Sequence, residues 1–350
     1  MKKNILILFG GKSGEHDVSI NSAASVIAHL DRNKYNVIAV AIDKTGRWLS
    51  TGESTKYLIN SGGLKPQMLD SKTKAAFDIS KSLTALRGSE GQLSKNKSSI
   101  SQIGVVFPVL HGPFGEDGTV QGFLELWGVP FVGSDTLSSA LAMDKVMAKK
   151  VFKAENIPTP ESWAVNQENS NQIINKIKIP CVVKPVNLGS SVGVTIVKNK
   201  SELPSAIKLA IATDNKGEVI VEKFIKGREL TVPVLGDQAL PVIEIRPKRA
   251  GDWFNYEVKY APDLVDEIVP APIPAKSFKQ AQQLALRAHN ALQCRHFSRV
   301  DMILTEAGEL YVLEVNTIPG LTSASLFPKA AAASGMSFTQ LLDKLIEMAS

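Results

Sequence analysis

The sequence predicts an α/β fold in more than one domain, and three observations carry that prediction. Between Ile5 and Ile42 the chain reads strand, glycine loop, helix, strand, a βαβ unit that implies a parallel sheet. Residues 299–304 (R-V-D-M-I-L) and 310–315 (L-Y-V-L-E-V) read as two antiparallel strands turned at Ala307-Gly308. At 350 residues the chain exceeds what one ordinary core fills, which calls for two or three domains.

A hydrophobic content of 44% and a mean hydropathy of +0.01 exclude a disordered chain. No apolar run approaches the roughly 20 residues that span a bilayer, so no membrane partner is expected. Met1-Lys2-Lys3-Asn4 has the charge of a signal peptide, but the apolar run Ile5 to Phe9 stops at Gly10-Gly11 without a small-residue cleavage site. It reads as a strand, and the chain is expected in the cytoplasm. Cys181 and Cys294 lack metal-ligand or redox spacing and read as buried thiols. Much of the net charge of +6 comes from residues 51–100, where eight Lys and Arg face four Asp and Glu. That segment lacks interleaved aromatics, so it reads as a solubilising face and nucleic acid is not an expected partner. A modest basic balance also suits an anionic nucleotide substrate.

In chain order, the strand Ile5–Phe9 passes through Gly10–Glu15 into a helix expected from near Ser19 to about Leu30, then the strand Val37–Ile42. The loop has no G-x-G-x-x-G spacing, and its Gly11-Lys12-Ser13 lacks the glycine five residues earlier that completes a phosphate loop, so no nucleotide reading attaches to it. Glu15 reads first as a helix-start acid that complements the dipole, although the loop also presents it at a strand's carboxyl end. Residues 51–100 read as an irregular surface insertion. Val105–Leu110 is a buried strand that delivers His111-Gly112-Pro113-Phe114-Gly115-Glu116-Asp117-Gly118 at its end. A lone histidine there is more often structural, and His111 gains weight only from its company. A helix Thr119–Trp127 and the segment Pro130–Val132 close this domain, and Ser138–Asn156 reads as one helical stretch carrying Asp144-Lys145.

Beyond Pro158-Thr159-Pro160, the run Cys181 to Gly193 places a glycine-serine loop between two strands. Such a loop cannot use a helix N-terminus for phosphate; it is either a plain hairpin turn or a flap, and Lys184 just before it favours the flap. The strand Val219–Ile225 is read as an edge whose backbone pairs with a purine. Glu222 would accept the exocyclic amine and Glu229 a ribose hydroxyl, with surface acids the plainer alternative for each. Tyr256–Pro262 and Pro270–Pro274 suit a mobile loop, followed by a helix Ser277–Leu292.

In the hairpin, a turn centred between Ala307 and Gly308 sets Asp301 opposite Glu314 and Arg299 opposite Asn316, all on one face. The period of two sends Val300, Met302, Leu304, Tyr311, Leu313 and Val315 to a core face. Two opposed carboxylates repel unless a cation lies between them. Oxygen donors alone describe Mg²⁺ completed by substrate phosphates rather than Zn²⁺, the alternative being a solvated outer face. The loop Thr317–Ser325 that follows is rich in N–H and hydroxyl donors for an anion. A terminal helix in two parts is expected over Pro328–Met348.

These motifs, in order, resemble the D-alanine–D-alanine ligases of the ATP-grasp superfamily. The resemblance runs from Gly-Gly-Lys-Ser-Gly-Glu-His-Asp-Val-Ser through His-Gly-Pro-Phe-Gly-Glu-Asp-Gly, Met-Asp-Lys, Gly-Ser-Ser-Val-Gly and Lys-Tyr to Glu-Val-Asn-Thr-Ile-Pro-Gly-Leu-Thr. It implies a Rossmann-like parallel-sheet domain (1–137) and two ATP-grasp domains (138–225 and 226–350) that clasp ATP. It implies phosphorylation of one D-alanine carboxylate and attack on the acyl phosphate by the amine of a second. An apolar first domain makes a homodimer the expected assembly. Glu15 would bind the first substrate's ammonium, with Ser190 and Tyr260 hydrogen-bonding to hold the site closed. Lys145 and Lys184 would contact the phosphates, and Glu222, Lys223, Glu229 and Lys259 the rest of ATP. Asp301, Glu314 and Asn316 would bind two Mg²⁺ ions, for which Mn²⁺ can substitute. Arg299 and the Gly320 N–H would stabilise the oxyanion, and His111, Ser325 and Leu326 would position substrate. Ala324 departs from the polar or charged side chain that many members carry there.

Overall fold

The computed structural model describes residues 2–61, 103–166, 169–214, 217–248 and 264–350, so most of the expected 51–100 insertion, Lys259, Tyr260 and the Tyr256–Pro262 loop lie outside the described residues. The chain divides into two compact units, one of Met1–Thr136, Arg295–Phe297 and Ile318–Ser350, the other of Leu137–Cys294 and Ser298–Thr317.

In the first unit, β1 (Lys3–Gly10), β2 (Tyr35–Ile42) and β3 (Val105–Pro108) form a parallel sheet in the order β2-β1-β3. Ile5 to Phe9 are at most 1% exposed, as a continuous apolar run buried on both faces should be. Phe131 adds a single parallel bridge to Val106. At the end of β1, Gly10 has φ +90° and a Cβ there would meet the Ile42 carbonyl at 2.2 Å, so only glycine lets the chain turn. The following helix runs His16–His29, three residues earlier than expected, because Glu15 is already its N-cap residue. Residues 51–60 are not irregular: Thr51–Asn60 is a helix opened by a capping box between Ser50 and Glu53. The terminal helix has the two expected parts, Leu326–Ala333 and Phe338–Met348.

The second unit holds two antiparallel sheets. One has four strands, β4 (Ser162–Val165), β5 (Cys181–Pro185), β6 (Thr195–Val197) and β7 (Val219–Lys223), in the order β4-β7-β5-β6. The other contains β8 (Arg228–Leu235), β9 (Gln238–Ala239), β10 (Ile243–Pro247), β11 (Val265–Ile268), β12 (Phe297–Leu304) and β13 (Leu310–Asn316), in the order β11-β10-β8-β12-β13 with β9 beside β8. Strand β7 is paired on both sides over Val219–Glu222, by β4 and β5, so no free edge for a purine exists there; Phe224 and Ile225, the end of the expected strand, lie beyond β7. The helix Ala275–Ala291 buries Ala281, Leu284, Ala285 and Ala288 in the core that also takes Leu230, Val232, Val300, Met302 and Val312. The stretch 138–156 is two helices, Thr136–Met143 and Lys145–Ala154. Asp144 breaks it by accepting hydrogen bonds from the N–H groups of Val146 and Met147, the N-cap geometry that starts a new helix. Cys181 and Cys294 are buried thiols, and neither forms a disulfide.

The hairpin register holds at one end and changes at the other. Arg299 pairs with Asn316 and Asp301 with Glu314, but a bulge after Asp301 sets Met302 opposite Val312 and Leu304 opposite Leu310. The extra residue reverses the alternation on β13. Leu310 and Val312 therefore join Val300, Met302 and Leu304 in the core, while Tyr311 and Leu313, expected inside, are only partly buried.

Candidate functional site

The two antiparallel sheets of the second unit enclose a cavity of about 460 Å³. Val182, Lys184 and Ile196 line it from the four-stranded sheet together with Glu222 and Lys223; Glu229, Asp301, Ile303, Leu313 and Glu314 line it from the other. The bulge thus supplies an apolar wall, Leu313 beside Ile303, next to the acids. Residues Leu188, Gly189, Ser191 and Val194 of the glycine-serine loop also line it, confirming a strand-to-strand loop placed over a cavity. Ser190 and Ser191 both have positive φ, 52° and 58°, a conformation that side chains beyond glycine seldom adopt.

On the hairpin, Asp301 accepts from Arg299 Nε and Nη2, each at 2.9 Å, from Asn316 Nδ2 at 3.0 Å and from Thr231 Oγ1 at 2.5 Å. Asp301 is buried, and Arg299 holds its carboxylate in a bidentate fork. Lys145 Nζ lies 3.6 Å from Glu314 Oε2 and donates to the Leu188 carbonyl at 2.6 Å. The positive charge required between the two opposed acids is therefore present as Arg299 on one and Lys145 beside the other. Asn316, by donating through Nδ2, turns its amide oxygen away from Asp301. Among the described residues no three His, Cys, Asp or Glu side chains cluster as a metal cage. The oxygen donors number two carboxylates and one amide, a set that fits a hard divalent cation sharing its remaining positions with phosphate.

Glu222 is buried and shared by two ammonium groups, Lys184 Nζ at 2.9 Å from Oε2 and Lys149 Nζ at 3.1 Å from Oε1. Burial opposes its ionisation, but Lys149 and Lys184 outweigh that and hold the carboxyl below its ordinary value. Burial likewise opposes charge on Lys184, and Glu222 followed by Glu314 outweighs it, raising that pKa. Lys149 is pulled down to about 8 by burial, against the opposing pull of Glu222. Lys223 is exposed at the end of β7.

Glu15, His111, Gly320, Ser325 and Leu326 all belong to the first unit. Glu15 is the N-cap residue of its helix but its side chain makes no capping bond. His111 is 6% exposed; its Nδ1 lies 3.1 Å from the Ile318 carbonyl and its Nε2 3.2 Å from Ser22 Oγ. Because a carbonyl only accepts, Nδ1 carries a proton here. Ser325 Oγ accepts from Thr322 N at 3.1 Å and lies within 2.7 Å of Thr322 Oγ1, folding the Gly320 loop onto the helix that begins at the nearly buried Leu326. Glu116, which the sequence reading passed over, accepts from Gly112 N and Ile318 N, tying the His111 turn to that loop. Thr231 and Lys149 were also passed over. Each contacts a predicted residue from a distant part of the sequence, and only the Lys149 spacing, four residues after Lys145, was a visible signal.

Family models described as D-ala D-ala ligase N-terminus and C-terminus match residues 4–134 and 150–347. A D-alanine--D-alanine ligase of Thermoanaerobacter pseudethanolicus is 42% identical over 99% of this chain and 96% of its own length. Among solved structures, the VanG D-Ala:D-Ser ligase of Enterococcus faecalis is similar with a TM-score of 0.80 and 38% identity over all of both chains. The D-alanine--D-alanine ligase of Bacillus anthracis complexed with ATP is similar with a TM-score of 0.73 and 32% identity over 99% of this chain and 97% of that one. A chain matched in both halves and along its whole length in this way belongs to the D-Ala D-Ala ligase family.

Proposed function

We propose that the chain joins two D-alanine molecules at the expense of ATP to supply a peptidoglycan precursor, through an acyl phosphate. The observation that carries this reading is the cavity between the two antiparallel sheets, where lysines and hairpin acids converge. We read two ATP-grasp domains, 138–225 and 226–350, after a substrate-binding domain, 1–137; that each of these ranges has its own sheet supports the reading. We read the chain as cytoplasmic; among its described residues no helix is long and apolar enough to cross a membrane.

In the proposed reaction one D-alanine carboxylate oxygen attacks the γ-phosphorus and ADP leaves; the amine of the second D-alanine then attacks the acyl carbon and phosphate leaves. Lys145 and Lys184 hold phosphate oxygens, while Glu222, Lys223, Glu229 and Lys259 hold adenine and ribose. Glu15 binds the first ammonium, and Ser190 and Tyr260 hydrogen-bond to it. Arg299 and the Gly320 N–H are the preorganised donors for the tetrahedral oxyanion, and His111, Ser325 and Leu326 set the substrate. Asp301, Glu314 and Asn316 would hold Mg²⁺, which when bound supplies charge neutralisation for the transferring phosphoryl group.

The match to a D-Ala:D-Ser ligase supports a second reading, with D-serine as the attacking amino acid. A hydroxy acid is a poorer fit, because the phenol of Tyr260 stays neutral at working pH and does not repel an incoming ammonium. ADP release and product masses, measured with D-alanine alone and with D-alanine paired to D-serine or D-lactate, test the proposal. D-alanine alone is expected to give ADP and its dipeptide at pH 7. Ester as the main product, or no ADP with any pair, overturns it.

A further inference from the structure

Lys149 is one turn beyond Lys145 on the helix Lys145–Ala154, yet it does not line the cavity. It is 2% exposed, and a lysine is almost never so buried unless its charge is answered. Its ammonium meets Glu222 Oε1 at 3.1 Å and donates to Thr159 Oγ1 at 2.6 Å; Thr159 Oγ1 in turn donates to the Val312 carbonyl of β13 at 2.8 Å. The ammonium is thereby fixed between β7 of one sheet and β13 of the other. On its far side Glu222 grips Lys184, whose side chain is 13% exposed and faces the cavity.

The charges of this triad decide what it can do. Glu222 and Lys184 alone would form a closed, neutral pair, and a nucleotide phosphate would have to compete with the carboxylate for that ammonium. With Lys149 behind it, the carboxylate is neutralised from within the protein and the triad presents one net positive charge through Lys184. We propose that Lys149 is a positioning residue that neutralises Glu222 from behind, so that Lys184 presents its charge to the phosphates of ATP. This role rests on the nucleotide reading of the cavity. Lys149 touches no substrate in this account; it acts through Glu222.

Substitutions at Lys149 that keep or remove its charge test this. Lys149→Met leaves Glu222 and Lys184 as a neutral pair, whereas Lys149→Arg keeps a cation behind Glu222. ATP binding measured by calorimetry is expected to weaken about tenfold or more in Lys149→Met and to recover most of that loss in Lys149→Arg. In turnover, KM for ATP should rise in Lys149→Met while KM for D-alanine stays put. Where Lys149→Met does not fold, Lys149→Gln, which keeps a donor for Thr159 but not the charge, carries the test: a tenfold loss of ATP affinity supports the role, and affinity near wild type overturns it. A folded Lys149→Met that binds ATP like wild type overturns the role of Lys149 alone. A wild-type protein that binds no ATP overturns the nucleotide reading and this role with it.

Discussion

Asp301 shows how much of a site one side chain can organise. Its two oxygens accept four hydrogen bonds, two from Arg299 and one each from Asn316 and Thr231, so its charge is fully answered before any cation arrives. Glu314, across the register, has Lys145 at a longer 3.6 Å. Asp301→Asn and Glu314→Gln are both expected to lower turnover about 100-fold while ATP binding falls far less, because neutralisation matters most as the phosphoryl group transfers. Steady-state rates against Mg²⁺ concentration, beside direct ATP binding, check this; an unchanged rate and unchanged Mg²⁺ dependence in both variants would sink the metal assignment. At this scale the sequence was informative for residues within a single pattern. Arg299, Asp301, Glu314 and Asn316 share a face because strands alternate, and the observed pairing agrees. Glu116, Thr231 and Lys149 escaped because their partners come from elsewhere in the chain, and no local period predicts a buried ion triad.

Among the elements, the hairpin is where local reasoning went furthest and then stopped. Turn centring gave Asp301 opposite Glu314, but the bulge beyond them exchanged Leu313 for Val312 on the core face. Either alternation of an apolar run such as L-Y-V-L satisfies a hydrophobic pattern, so the bulge left no mark in composition. The break at Asp144 is different: an Asp before a helical run is an N-cap signal and Ser50-x-x-Glu53 is a capping box, local signals that the expected single helix over 138–156 and the expected irregular segment from 51 both passed over. The glycine-serine loop, legible from its glycines alone, is the element on which chemistry in water depends, since water competes for an acyl phosphate. Amide hydrogen exchange in residues 189–193 is expected to slow when ATP and a D-alanine analogue bind together. Equal exchange with and without ligands would mean that the loop does not close over them.

At the scale of the whole chain, fold class was legible because it rests on strong periodic signals: the parallel strand order of the first unit and the paired antiparallel sheets of the second. The allocation of segments to units was not. Residues 295–297 and 318–350 belong with the N-terminal 136, although the hairpin between them belongs to the other unit, a division made by tertiary packing that no sequence pattern records. Glu15, His111, Gly320 and Ser325 belong to the first unit, and the lysines, Arg299 and the hairpin acids to the second. The central claim is that ATP activates one D-alanine carboxylate for attack by a second amino group. The most direct measurement starts from D-alanine labelled with ¹⁸O in its carboxylate and follows the label by mass spectrometry. Transfer through an acyl phosphate requires the oxygen that bridged carbon and phosphorus to leave with the phosphate. The account predicts dipeptide, ADP and inorganic phosphate carrying one ¹⁸O atom. Dipeptide formed with unlabelled phosphate, or ADP formed without dipeptide, would contradict it.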